Sequence, residues 1–109
     1  MEISFASPKL KALCEKHAEM QKALGGACAR KLRSRLADLT AARNVGELTA
    51  GRPHPLKGNR AGQFALDLEG GRRLVFEPAD DPLPRHEDGA IDWSTVTKVQ
   101  IVFIGDYHD

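Results

Sequence analysis

The sequence predicts an α+β domain in which an N-terminal helical hairpin packs on one side of a small, mainly antiparallel sheet. Apolar residues recur every three to four positions through the first forty residues, whereas alternating and nearly unbroken apolar runs occupy positions 64–77 and 99–104. With 109 residues, 41% of them apolar, the chain can build one compact core, so a single domain over residues 1–109 is expected.

Ile3 and Phe5 alternate with polar neighbours and suggest a short first strand. Ser7-Pro8 then offers a capping hydroxyl followed by proline at the first helical position. Leu10, Leu13, His17 or Ala18, and Met20 mark the buried face of a helix that Gly25-Gly26 interrupts. In the second helix Leu32, Leu36 and Leu39 form the apolar stripe, and Arg30, Lys31, Arg33 and Arg35 crowd the remaining surface. Periodicity stops from Asn44 to Gly62, where Pro53, Pro55 and several glycines predict an irregular surface loop carrying His54, Lys57 and Arg60. Phe64, Leu66 and Leu68 alternate with polar or small residues, and Glu69-Gly70-Gly71 joins them to a second extended run from Arg72 to Glu77, a hairpin. An acidic, proline-containing connection follows, anchored by Trp93, and Val99–Ile104 reads as a strand covered on both faces.

The net charge of +1 conceals a division of the chain: residues 1–62 carry +7 and residues 63–109 carry −6. This asymmetry fits a nucleic-acid face beside an acidic one, and equally a basic helical layer balanced by an acidic loop. No run approaches the roughly 18 apolar residues of a membrane span, and acidic Glu2 with no long apolar run after it does not lay out a signal peptide. A cytoplasmic protein with no membrane partner is expected. Cys14 and Cys28 form no metal-type pair and read as packing thiols.

The chemistry-bearing residues fall in three segments: His54-Pro55-Leu56-Lys57-Gly58-Asn59-Arg60, Arg72-Arg73 and Asp106-Tyr107-His108. Cleaving RNA without a metal requires a group that deprotonates the 2′-hydroxyl, one that protonates the departing 5′-oxygen, and cations around the phosphate. Histidine performs either proton transfer near neutrality, and the arginine fork holds two phosphate oxygens. A bland reading exists for each: a histidine between prolines capping a turn, a terminal histidine, solvated loop cations, and an arginine stem covering a core edge. A zinc site made from His54, His86, Asp106 and His108 would need paired short spacing that is missing, and Lys57 and Arg73 would repel the ion.

The stretches HPLKGNRAGQFALDL, GGRRLVFEP and VQIVFIGDYHD, in this order behind a strand and a helix pair, resemble the HigB branch of the RelE/ParE toxin superfamily over nearly the whole chain. The resemblance implies a RelE-like fold and a type II toxin: an endoribonuclease that enters the ribosomal A site and cuts messenger RNA there. It needs no cofactor or metal, and a cognate antitoxin, a helix-turn-helix DNA-binding protein, neutralises it. Carried over by position, His54, Lys57, Arg73, Asp106, Tyr107 and His108 fall on the active surface, with His108 and His54 moving protons. Lys57 and Arg73 would stabilise the phosphorane, Tyr107 would stack or steady His108, and Asp106 would orient the cluster. Arg52, Arg60 and Arg72 would hold the RNA backbone. Two alternatives stand beside this reading: a non-catalytic regulator or binding module, and a toxin that poisons a topoisomerase by binding. The near-neutral total charge is weaker than expected for a protein working on ribosomal RNA.

Overall fold

A computed structural model describes residues 1–106. Its strands are β1 (Glu2–Phe5), β2 (His54–Pro55), β3 (Phe64–Asp67), β4 (Arg73–Pro78) and β5 (Lys98–Gly105), and its helices are α1 (Pro8–Glu15) and α2 (His17–Ala41). The sheet runs β1-β5-β4-β3-β2, with β1 parallel to β5 and every other pair antiparallel. This is the α+β arrangement the apolar spacing predicts.

The Ser7 hydroxyl caps α1 by accepting a hydrogen bond from the Leu10 N–H at 3.2 Å, and Pro8 opens the helix. The first helical arm differs from expectation at Lys16, whose extended backbone (φ −105, ψ 110) divides it in two. No glycine or proline marks that division. Gly25 is the true turning point, with φ 78 and ψ 168 inside α2. There the chain folds back, because a guanidinium nitrogen of Arg33 lies 3.0 Å from His17 Nδ1, whereas 16 residues of straight helix would separate them by roughly 24 Å. The result is the predicted hairpin. His17 and Ala18 are exposed and do not belong to its buried face, which Met20 joins from the first arm and Cys28, Ala29, Leu32 and Leu39 from the second.

Those side chains meet Leu66, Leu74, Phe76, Val99 and Ile101 from one face of the sheet. Burial of this apolar surface is the main force holding the two layers together. Trp93 anchors the 79–97 connection by packing on Phe64, ring centroids 4.8 Å apart. At its base the Asp80 carboxylate accepts hydrogen bonds from the Thr97 N–H, the Thr97 hydroxyl and the Lys98 N–H. Cys28 is buried, and Cys14 has its thiol pKa pushed up to about 11 by burial and by neighbouring Glu15, so both are inert packing residues.

Candidate active site

The face of the sheet turned away from the helices is built by register. His54 pairs with Ala65, Ala65 with Val75, and Val75 with Phe103; two residues along, Asp67 pairs with Arg73 and Arg73 with Gly105. Directly paired residues project to the same side, so these form two adjacent rows. Their neighbours Leu66, Leu74 and Ile104 pack toward the helical core. Between Val75 and Phe76 the register with β5 shifts from Phe103 to Ile101, leaving Val102 as the extra residue of a bulge. The bulge changes which β5 side chains reach the open face.

His54 belongs to a two-residue edge strand within the segment that reads as an irregular loop. Two residues are too few to show a period, and flanking prolines suit an edge, where missing N–H groups cost nothing to the sheet. The His54 Nδ1 lies 2.7 Å from the Arg52 carbonyl oxygen. A carbonyl only accepts, so Nδ1 carries the proton and, in the neutral ring, Nε2 keeps the lone pair. His54 is thereby set to accept a proton at Nε2.

Arg73 donates from Nε to Asp67 Oδ1 at 3.1 Å, and Arg52 donates from Nε to Asp67 Oδ2 at 2.8 Å. Partial burial opposes ionisation of Asp67, but the hydrogen bonds from Arg52 and Arg73, and then their charges, outweigh it and hold the carboxyl below its ordinary pKa. Arg60 stacks its guanidinium 4.4 Å from the centre of the Phe103 ring and donates to Gln63 Oε1 at 3.1 Å. Gly105 makes room for this stack, since a Cβ there would lie 3.1 Å from Phe103 Cζ.

Sequence motifs therefore led to His54, Arg73, Arg60 and Arg52, and the structure gathers these on or beside one face. Lys57 is exposed at the start of the 3-10 turn Gly58–Arg60, three residues beyond His54. Asp106 directly follows β5 and has its carboxyl beside Gly71, where a Cβ would come 3.6 Å from Oδ2. Arg72 goes elsewhere: it points to the helix side and donates to the Leu24 carbonyl at 2.8 Å, next to the fold-back at Gly25. Tyr107 and His108 lie outside the described residues. His86 sits on the 79–97 connection with Nε2 3.7 Å from Asp92. Motif reading missed Asp67 and Phe103. A lone aspartate in an alternating strand and a phenylalanine in an apolar run both look structural, and only the register reveals their shared face.

The described site thus places Arg73, Arg52 and Arg60 on or beside the sheet face that carries His54, whose Nδ1 faces a carbonyl, with Ala65 and Val75 fully buried between them. No family model and no curated protein matches the sequence. Among solved structures, the chain is similar to a YoeB/ParE toxin from Agrobacterium tumefaciens, with a TM-score of 0.60 and 12% identity over 99% of this chain and 100% of that one. It is also similar to the YoeB dimer from Staphylococcus aureus, with a TM-score of 0.59 and 16% identity over 100% of this chain and 98% of that one. YoeB in the heterotetrameric YoeB-YefM toxin-antitoxin complex from S. aureus gives a TM-score of 0.57 and 21% identity, with 100% and 98% covered. At these identities the likeness is one of fold: two helices on a five-stranded, mostly antiparallel open sheet, as in the YoeB/RelE-like toxins. Among the described residues no helix is long and apolar enough to cross a membrane.

Proposed function

We propose that this protein is the toxin of a type II toxin-antitoxin pair, of the HigB-like branch of the RelE/ParE superfamily, acting in the cytoplasm as a ribosome-dependent messenger RNA endoribonuclease. The observation that carries the reading is the shared open face of His54 and Arg73, with Arg52 and Arg60 beside them, on a toxin fold. In the reaction, one imidazole takes the proton of the 2′-hydroxyl as its oxygen attacks phosphorus. The P–O5′ bond breaks, and a second group protonates the leaving oxygen, giving a 2′,3′-cyclic phosphate and a 5′-hydroxyl. His54 Nε2 suits the first task, and His108 is assigned the second, with the roles open to exchange. Arg73 and Lys57 stabilise the charge that grows on the phosphorane, Asp106 and Tyr107 orient the cluster, and Arg52 and Arg60 hold the strand. With its guanidinium on the helix side, Arg72 is assigned no RNA contact. Neither metal nor cofactor takes part in this scheme. The partners are ribosome-bound messenger RNA, ribosomal RNA of the A site, and a cognate helix-turn-helix antitoxin.

The test is induced expression of wild type and of His108→Ala, with transcript ends mapped on stalled ribosomes. New 5′ ends with wild type alone are the expected result. Growth arrest with intact transcripts would instead mean topoisomerase poisoning, and no arrest from either version would mean a non-catalytic regulator.

A further inference from the structure

The segment Gly51-Arg52-Pro53-His54 makes a costly turn. Arg52 has φ 49, a left-handed value that L side chains rarely adopt, and the proline after it disfavours helical backbone at the preceding position. Something must hold this conformation, and Asp67 touches the turn twice. Its N–H donates to the Gly51 carbonyl at 2.6 Å, and its carboxylate accepts from the Arg52 side chain at 2.8 Å. The other carboxylate oxygen accepts from Arg73 at 3.1 Å. The Arg52 carbonyl, aimed by this same turn, accepts from His54 Nδ1. One carboxylate therefore connects Arg73 to the turn that sets the histidine.

We infer that Asp67 is a positioning residue of this site: its carboxylate keeps Arg52 and Arg73 side by side and, by anchoring Arg52 in the left-handed turn, presents the carbonyl that leaves His54 Nε2 as the proton-accepting nitrogen. The catalytic consequence rests on the function proposed above; the tautomer consequence does not. Asp67 has no need to touch the substrate. It acts through two groups that do, in the manner of outer-shell carboxylates that orient histidines elsewhere.

Nitrogen-15 NMR of the neutral His54 ring tests the tautomer directly in wild type, Asp67→Asn and Arg52→Ala. Asp67→Asn keeps the backbone bond to Gly51 and nearly the same shape, so the fold should persist. Arg52→Ala cuts the same link at its more exposed end, Arg52 being 67% exposed. Wild type is expected to hold the proton on Nδ1, and both variants to show a mixture of the two tautomers. Cleavage of ribosome-bound RNA should fall about 10- to 100-fold in Asp67→Asn, the usual loss for an outer-shell partner, with a displaced histidine limb in its pH–rate profile and a melting temperature lowered by at most about 4–8 °C. A wild-type His54 spectrum in both variants would overturn the inference, whatever the cleavage assay gives. A wild-type protein that cuts no RNA would overturn the proposed function instead, while the spectra still decide the role of Asp67.

Discussion

Asp67 carries a pH signature independent of any RNA chemistry. Burial raises its pKa, but the hydrogen bonds and charges of Arg52 and Arg73 bring the folded value below the ordinary carboxylate range. A carboxyl with a depressed folded pKa stabilises the protein above its unfolded pKa, about 3.9 for Asp, and that contribution is lost as pH falls through the folded value. The stability gap between wild type and Asp67→Asn, read from urea midpoints, should therefore be full near neutrality and close as pH falls below about 4. With the Asp67 side chain 33% exposed and Arg52 mostly in solvent, the gap should stay below about 1 kcal/mol. A gap that persists undiminished at the acid end would show that the charge is not what matters. Arg73 makes a different claim. Arg73→Ala should lower single-turnover cleavage by about 10²- to 10³-fold, as loss of one fixed donor to a developing anion does, and Arg73→Lys should recover little, because a point charge lacks the planar fork. Full activity in Arg73→Lys would remove the fork from the mechanism. Both His54 and Arg73 were legible in the sequence because they fall on the motif positions HPLKGNR and GGRRLVFEP, which outweigh their structural readings as a turn cap and a core-edge stem. Asp67 was not, since its meaning comes from a salt bridge to a residue 15 positions earlier. The left-handed turn at Arg52 escaped for a related reason: arginine before proline signals extended backbone.

The helical hairpin illustrates what punctuation in a sequence does and does not reveal. Gly25-Gly26 announced the fold-back, and only glycine readily adopts φ 78 with ψ 168. Beyond its chain neighbours and the backbone of its own helix, nothing lies within 4 Å of where a Cβ at Gly25 would sit, so Gly25→Ala should cost on the order of 1–3 kcal/mol through the backbone alone. The division at Lys16 had no such marker, and β2 was too short to show alternation. Fold-back also explains Arg72. A helix that stops leaves carbonyls without intrahelical donors, and the Arg72 guanidinium serves the one at Leu24. Arg72→Met, which keeps the apolar stem, should then lower stability by about 1.5–3 kcal/mol, the range for a hydrogen bond to a charged group, without altering RNA affinity. Denaturant midpoints and RNA titration check the two halves separately. A stable variant with weakened RNA binding would restore Arg72 to the RNA contacts that its sequence position implied. At the other end of the hairpin, Ser7→Ala removes the hydroxyl that caps α1 and should cost about 1 kcal/mol.

Under the proposed function, charge segregation within the chain, +7 before Gly62 is passed and −6 after it, offers two basic surfaces that could meet RNA. Arg60 stacks on Phe103 at the open face, whereas Arg30 and Lys31 are exposed on the second arm of α2, in the helical layer. These surfaces belong to opposite sides of one sheet, so a single short strand of RNA cannot lie along both. Salt dependence distinguishes them. Each phosphate neutralised on a single strand contributes a slope of roughly −0.7 to log affinity against log salt concentration. Measured on a short single-stranded RNA with His108→Ala as the non-cleaving background, Arg60→Gln should reduce the slope by about 0.7. Replacing Arg30 and Lys31 together by glutamine should leave it unchanged, because those charges are solvated in this encounter. The same double replacement tested on ribosomes discriminates further: a weaker association there, with the oligonucleotide slope intact, would assign the helical layer to ribosomal RNA and the open face to the message. If instead the double replacement flattens the oligonucleotide slope and Arg60→Gln does not, RNA is bound by the helices, and the His54–Arg73 face loses its claim to the scissile phosphate.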